Sequence, residues 1–405
     1  METTFYTNSA AAFTAQETQI QKLQAELSSG KSVNSASDGA AAYVGAARDN
    51  SAVVQLSAEQ NSQTNILASL QVGTSTLSQV NTLLDQIQSV ALQAVNATTS
   101  DLNFQALSDQ VGQLGQQLLA SANSRDPQGN FVFAGTAKGT EPFSQNGSGA
   151  VSYNGNEGLS NVEISPGITV NSALNGTVFM NGPSGNGFAS VAAGSANTGT
   201  ATMVATGVSN QASASSFQAG NVPIGLTFAS AGGTTTYVAT QGGTVIGSGP
   251  LSSSGHSTML TLNGIQFKLA GTPAVGDTFT VTPSRPQSVF ALVSSIQSAL
   301  SSPGSTPAQM AQTRQILENG LGGLIQYQDR FSGESAKAGV IVKSVTQAAA
   351  ADTSLSTTDQ TNASTLVGAN IPQTITQIEA QTAALQDALK SFSSVQQLSL
   401  FSFIA

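Results

Sequence analysis

Between Ile371 and Phe403 the chain reads I-P-Q-T-I-T-Q-I-E-A-Q-T-A-A-L-Q-D-A-L-K-S-F-S-S-V-Q-Q-L-S-L-F-S-F. Ile371, Ile375, Ile378, Leu385, Leu389 and Phe392 recur on an alternating step of four and three, with Thr382 in the one polar slot. That spacing predicts the seam of a helix packed against another helix. The flanking positions are Gln, Ser, Thr and Ala with hardly a charge, so few ion pairs are left to fix the pairing, and Pro372 suits only a first turn or a kink. A helix specified so weakly on its own is expected to become ordered inside an assembly.

Partners for such a seam exist at the other end of the chain. Phe13, Ile20, Leu23 and Leu27 form a first helical stripe, and Ser28-Ser29-Gly30 ends it with a glycine suited to a left-handed stop. After a turn-rich loop, in which Ser37 and Asp38 are candidate caps, a longer seam runs from Ile66 through Leu70, Gly73, Leu77, Val80, Leu84, Ile87 and Ala91 to Ala94. That length exceeds an ordinary isolated globular helix. Phe104, Leu107, Val111, Leu114 and Leu118 carry a third helix. A Pro-Gly turn then delivers a short apolar stretch, Phe131 to Ala134, read as a strand.

The period changes between about residues 140 and 285. Asn-Gly pairs, many Thr and Val, and short alternating runs replace the helical stripes. Val222, Ile224, Leu226 and Phe228 alternate, and M-L-T-L before Asn263-Gly264, followed by I-Q-F-K-L, predicts a hairpin with a type I′ turn. Residues 189–220, nearly all Ala, Ser, Thr, Gly and Val, fit either edge strands or a loose linker. Helical spacing returns with Val289, Leu292, Ile296 and Leu300. Thr306-Pro307-Ala308-Gln309 then combines a cap, a first-turn proline and a capping-box glutamine ahead of Met310, Leu317, Leu321 and Leu324. A further helix carries Val342, Val345 and Ala349. The order helices, sheet, helices defines an α+β chain in which N- and C-terminal helices pack into one rod and a β domain is inserted between them. The expected division is 1–40 with 360–405 as terminal segments, disordered in the monomer and an inner coiled coil on assembly. Residues 41–139 with 286–359 would make the rod and 140–285 the β insert.

Composition limits the chemistry. Only 8% of the 405 residues are charged, tryptophan and cysteine are absent, and glycine counts 40. A surface made of Ser, Thr, Asn, Gln and Gly fits an extracellular or repetitive assembly. The net charge of -9, with twelve scattered basic residues, argues against nucleic acid and against an anionic membrane surface. No thiolate metal site can form, and no stretch approaches the roughly 18 apolar residues of a membrane helix. The acidic start M-E-T-T-F-Y, without a 7-to-15-residue apolar run, indicates no cleavable secretory signal. His256 is the one histidine, so two-histidine zinc sites are excluded, and no G-x-S-x-G elbow offers a nucleophile to it. Ser28-Ser29-Gly30-Lys31 matches S-x-x-K, but without S-D-N or K-T-G it reads as a helix-ending turn. A carboxylate pair for glycoside hydrolysis would lack aromatic sugar platforms. No catalytic residue, metal or cofactor is expected.

Three stretches carry a resemblance. L-S-S-G-K-S-V-N-S-A-S-D-G-A-A-A-Y at 27–43 resembles the L-S-[ST]-G-[KR]-[RK]-[VI]-N-x-[PA]-[SA]-D-[DN] pattern of the bacterial flagellin superfamily, with Ala36 where proline is frequent. A-N-S-R-D-P-Q-G-N-F-V-F-A-G-T at 122–136 and the ending S-L-F-S-F resemble the family of hook-filament junction proteins within it. The likeness covers roughly the first 140 and last 115 residues, while the β insert matches only in character. It implies a structural adaptor of the extracellular flagellum, exported unfolded through the flagellar type III channel and assembled as a homo-oligomeric ring. The implied partners are the preceding hook-associated protein, flagellin and an export chaperone. The candidate interface consists of Phe13, Ile20, Leu23, Leu27, Ile371, Ile375, Ile378, Leu385, Leu389, Phe392, Leu398, Leu400 and Phe401. A filament subunit and a secreted adhesin-like binding module are the competing readings.

Overall fold

The computed structural model describes residues 2–96, 101–158, 160–251 and 257–404. Helix α1 (Glu2–Ser29) is followed by α2 (Ala40–Asn96) and α3 (Asp101–Ala122). Two small hairpins come next, β1 (Phe143–Gln145) with β2 (Val151–Tyr153) and β3 (Asn161–Ser165) with β4 (Ile168–Asn171), and then the short α4 (Thr177–Met180). The remaining strands are β5 (Gly182–Pro183), β6 (Ala189–Ala193), β7 (Thr202–Val208), β8 (Ile224–Ala231), β9 (Thr234–Gln241), β10 (Thr244–Pro250), β11 (Ser257–Leu262), β12 (Ile265–Ala270), β13 (Thr278–Pro283) and β14 (Pro286–Gln287), with α5 (Gln211–Gly220) between β7 and β8. The chain closes with α6 (Val289–Ser301), α7 (Pro307–Val367) and α8 (Ile371–Ile404). This is the α+β architecture that the change of period predicts.

The chain forms two compact units, residues 1–63 with 347–405 and residues 64–346. In the larger unit the expected seam of α2 is buried, with Leu77, Val80, Leu84, Ile87 and Ala91 fully so, and α3 and α6 bury the stripes read from their spacing. Phe179 on α4 lies at the centre of an aromatic cluster, with its ring 5.1 Å from Phe133, 5.3 Å from Phe143, 6.2 Å from Phe290 and 4.9 Å from Phe331. Such contacts contribute beyond area burial, about 0.5–1.5 kcal/mol each. The cluster takes residues from the run at 122–136, the first hairpin, α6 and α7, so it gathers segments far apart in sequence.

The β region consists of a five-stranded antiparallel sheet, β10-β9-β8-β13-β6, and a three-stranded one, β11-β12-β7. Their shared core holds Met203, Leu226, Phe228, Leu260, Phe267, Phe279 and Val281. Leu262 pairs with Ile265 across Asn263 (φ 47) and Gly264 (φ 77), the type I′ geometry expected of this hairpin. Residues 189–220 supply one edge strand to each sheet, β6 and β7, followed by α5. The Asn210 side chain caps α5 by accepting from Ser213 N, and the helix buries Ala214 and Phe217. Gln315 on α7 is fully buried and spans both edges, accepting from Met203 N at 2.7 Å and donating to Met203 O at 2.7 Å. It also donates to Val191 O at 3.4 Å. A side-chain amide thus completes backbone pairing that a neighbouring strand would otherwise supply.

Four expectations change. Phe131 to Ala134 forms only isolated bridges, Arg125 with Phe131 and Ala134 with Asn175, because Asp126 accepts from Gln128 N and Asn130 N and curls the chain into turns. All four residues are buried nonetheless, so the apolar run plugs the core. Asp38 folds its own loop back, accepting from Asn34 N and Ser35 N, and does not cap α2. Val342, Val345 and Ala349 belong to α7, one helix of 61 residues beginning at the expected capping box, where Gln309 N donates to Thr306 Oγ1 and Thr306 N to Gln309 Oε1. Burial of Leu317, Leu324, Tyr327, Phe331, Ala338 and Val345 carries that helix across its glycines. Finally, the alternation in β8 starts at Ile224, leaving Val222 exposed.

Tyr327 is the cluster's polar anchor. Its hydroxyl accepts from Gly182 N at 2.9 Å and is within donating reach of Phe179 O at 3.1 Å and of Gln287 O. Burial pushes its pKa up to about 12 from the ordinary value of 10.0. The folded value exceeds the unfolded one, so the contribution of Tyr327 to stability is fully present below about pH 10 and falls between there and about pH 12 as the unfolded chain ionises first. Tyr327→Phe leaves Gly182 N without this acceptor and should cost about 1–3 kcal/mol in urea unfolding at neutral pH. It should also flatten the loss of stability on the alkaline side.

Candidate functional site

The smaller unit contains both chain ends. Along α1 the residues turned inward are Tyr6, Ser9, Phe13, Gln16, Ile20 and Leu23, again a three-four alternation. They meet a face of α8 formed by Thr374, Ile378, Gln381, Leu385, Ala388 and Phe392. The Phe392 ring sits edge-on to Tyr6 at 5.7 Å and to Phe13 at 5.5 Å. One turn-set further along, Gln16 Nε2 donates to Gln381 O at 3.2 Å and to its Oε1 at 3.3 Å. Neutral amide bonds hold register here in the role that e/g ion pairs have in ordinary coiled coils.

Of the residues singled out from sequence, Phe13, Ile20, Ile378, Leu385 and Phe392 are half-buried in this pair and Leu23 is 3% exposed. Leu27, Ile371, Ile375 and Leu389 lie off it, with Ile375 41% and Leu389 47% exposed. The interhelical face is rotated by one position from the seam counted in sequence. Apolar residues with 4-3 spacing cover about a third of a helix circumference, and one partner covers only part of that arc. Side chains of Leu398, Leu400 and Phe401 lie outside the described residues, as does His256.

A clasp that the periodicity does not reveal joins the two helical turns. Ser32 N donates to Val367 O at 2.8 Å, Ala369 N to Gly30 O at 2.9 Å, and Lys31 bridges Gly368 in an antiparallel pair. Gly30, at φ 68, ends α1 as expected and turns the loop toward α8. Asp38 secures the loop: the Ser35 hydroxyl, then the Lys22 ammonium at 3.3 Å, hold its carboxyl below the ordinary carboxylate range. The L-S-S-G-K-S motif was the available signal, but its partner, Gly368-Ala369, has no sequence mark beyond a glycine.

Among the described residues no three of His, Asp and Glu converge to hold a metal, and no helix is long and apolar enough to cross a membrane. Asp277, the buried acid of the β region, accepts from Thr198 N, Gly199 N and Ala274 N and so clamps loops.

Comparisons with known proteins agree with this layout. Residues 3–138 match the bacterial flagellin N-terminal helical region. Flagellar hook-associated protein 3 of Salmonella typhimurium is 30% identical over 152 residues, 38% of this chain. The chain spans about half the length of that relative, 47%. The crystal structure of Xanthomonas campestris FlgL superposes with a TM-score of 0.65 at 25% identity, over 76% of this chain and 99% of that one. Hook-associated protein 3 of Legionella pneumophila gives 0.71 at 22%, over 78% and 98%, a likeness of fold. The chain is therefore similar to flagellin-like proteins, with long helices at both ends around a β region. Within that class the chain resembles flagellar hook-associated protein 3, FlgL, in sequence and in fold.

If the three-ring contact holds the ends together, Phe392→Ala should speed amide hydrogen exchange in α1 as well as in α8. The expected cost is on the order of 1–2 kcal/mol, below the range for a fully buried phenylalanine because Phe392 is half-buried. Exchange within β8, β12 and β13 should not change.

Proposed function

We propose that the chain is a structural adaptor of the bacterial flagellum, joining the hook, through the preceding hook-associated protein, to the flagellin filament. It is secreted by the flagellar type III route, shielded by an export chaperone beforehand, and works as a ring of identical subunits outside the cell. The role is one of shape and contact, with no reaction and no cofactor. The observation that carries this reading is the terminal helix pair. Its apolar face is wider than one partner covers, leaving Leu27, Ile371, Ile375 and Leu389 available to neighbouring molecules. The likeness to hook-associated protein 3 supports a junction role over that of a filament subunit, since the similar proteins named above are hook-associated protein 3 or FlgL and none is a flagellin.

The interface residues read from sequence are assigned two tasks here. Phe13, Ile20, Leu23, Ile378, Leu385 and Phe392 close the pair within one subunit, whereas Leu27, Ile371, Ile375, Leu389 and the terminal Leu398, Leu400 and Phe401 contact other subunits. Each large aliphatic side chain buried between subunits contributes about 1.5–3 kcal/mol. Deleting 398–405 should leave thermal unfolding of the β region unchanged and abolish filament attachment in motile cells. Filaments that remain attached would overturn the proposal, and long filaments grown from the purified chain alone would move it to the filament-subunit reading.

A further inference from the structure

Seven Asn-Gly steps occur in the chain, beginning at Asn146, Asn154, Asn175, Asn181, Asn186, Asn263 and Asn319. Such a step can rearrange by itself, because glycine lacks the Cβ that hinders its amide nitrogen from approaching the preceding side chain. Whether it does depends on which atoms the fold has tied down. Gly176 N donates to the Tyr153 hydroxyl at 3.0 Å, Gly182 N to the Tyr327 hydroxyl at 2.9 Å, and Gly187 N to Ser184 O at 3.3 Å, so three nucleophiles are engaged. Elsewhere the leaving amide is engaged: Asn154 Nδ2 donates to Ser144 Oγ at 2.9 Å, Asn263 Nδ2 to Gln241 Oε1 at 2.9 Å, and Asn319 Nδ2 to Val191 O from within α7.

Asn146 differs on every count. It sits with Gly147 in the turn between β1 and β2, both exposed, with open space where a glycine side chain would be. Among the described residues neither Gly147 N nor Asn146 Nδ2 has a hydrogen-bond partner. Asn146 Oδ1, by contrast, accepts from Ser148 N at 3.0 Å, Ser148 Oγ at 2.7 Å and Ala150 N at 3.0 Å. Three donors converge on the oxygen that becomes negative when a nucleophile adds to the side-chain carbonyl, the arrangement that stabilises a tetrahedral oxyanion.

The geometry points to Asn146 as a site of spontaneous, self-catalysed deamidation. Solvent hydroxide removes the Gly147 amide proton, and the nitrogen forms a bond to Asn146 Cγ while the negative charge is held on Oδ1 by the Ser148 and Ala150 donors. The Cγ–Nδ2 bond then breaks, and ammonia leaves with a proton from water. Water opens the resulting cyclic imide at either carbonyl, giving aspartate or isoaspartate. Either product adds a carboxylate to a chain with few charges, and the isoaspartyl form lengthens the main chain by one methylene. The hairpin closed by Asn146 N to Ala150 O and Gly149 N to Asn146 O then loosens.

The test is incubation of the purified full chain in mildly alkaline buffer, with peptide mapping by mass spectrometry over days and an isoaspartyl-specific assay. Conversion should appear at Asn146 first, several-fold faster than at any other Asn-Gly step and several-fold faster than for the same step in the urea-unfolded chain. Ser148→Ala should slow it by a similar factor while leaving the fold intact, since Ser148 is exposed. Earlier conversion at another step, an equal rate in the unfolded chain, or an unchanged rate in the Ser148→Ala variant would each overturn the proposal.

Discussion

Pairing of α1 with α8 is the contact on which the chain's larger arrangement depends, because it brings together residues separated by almost the whole sequence. Gln16 meets Gln381 and Phe13 meets Phe392. Neither helix carries the ion pairs that would specify a partner, and isolated helices of modest propensity are marginal in water. Apolar burial and the Gln-Gln bonds therefore act together with the backbone clasp at Ser32, Val367 and Ala369, which sets both turns side by side. Substituting any one of these weakens the others, since each holds the geometry that the rest need.

A second constraint runs through both compact units: with 8% charged residues, polar groups must be satisfied by amides and hydroxyls. Gln315 supplies backbone partners to two sheet edges. Gln63, buried, donates to Asp352 Oδ2. In the last third of α7, Thr353, Ser354, Thr357, Thr358, Thr361 and Thr365 each donate to the carbonyl four residues back. Back-bonding of this kind lets a helix present short hydroxyl residues at little polar cost, although it weakens helical preference slightly. A surface of this type suits contact with copies of similar chains, where charges would have to be desolvated in pairs.

The proposed adaptor role and the proposed lability of Asn146 meet in one physical circumstance. A structural component outside the cell has no turnover by resynthesis in place, so slow covalent chemistry at an exposed turn accumulates. The same features that make β1 and β2 a tight hairpin, an Asn146 side chain that accepts from Ser148 N and Ala150 N, also polarise the carbonyl that reacts.

Local pattern was enough to find the helical seams, the α+β order, the capping box at Thr306 and the Asn263-Gly264 hairpin, because each depends on local spacing or local turn geometry, but not that α7 runs unbroken from Pro307 to Val367. The motif at 27–43 and the run at 122–136 marked important positions without showing what they do. One proves to be half of a clasp and the other a core plug, since their partners, Val367 to Ala369 and the Phe179 ring, are distant in sequence. The rotation that leaves Ile375 and Leu389 exposed was equally hidden. Sequence by itself determined which residues are apolar and how often they recur; only the tertiary structure decided which arc of each helix meets a partner, because a seam broader than one contact can be covered in more than one way and long-range packing selects among them.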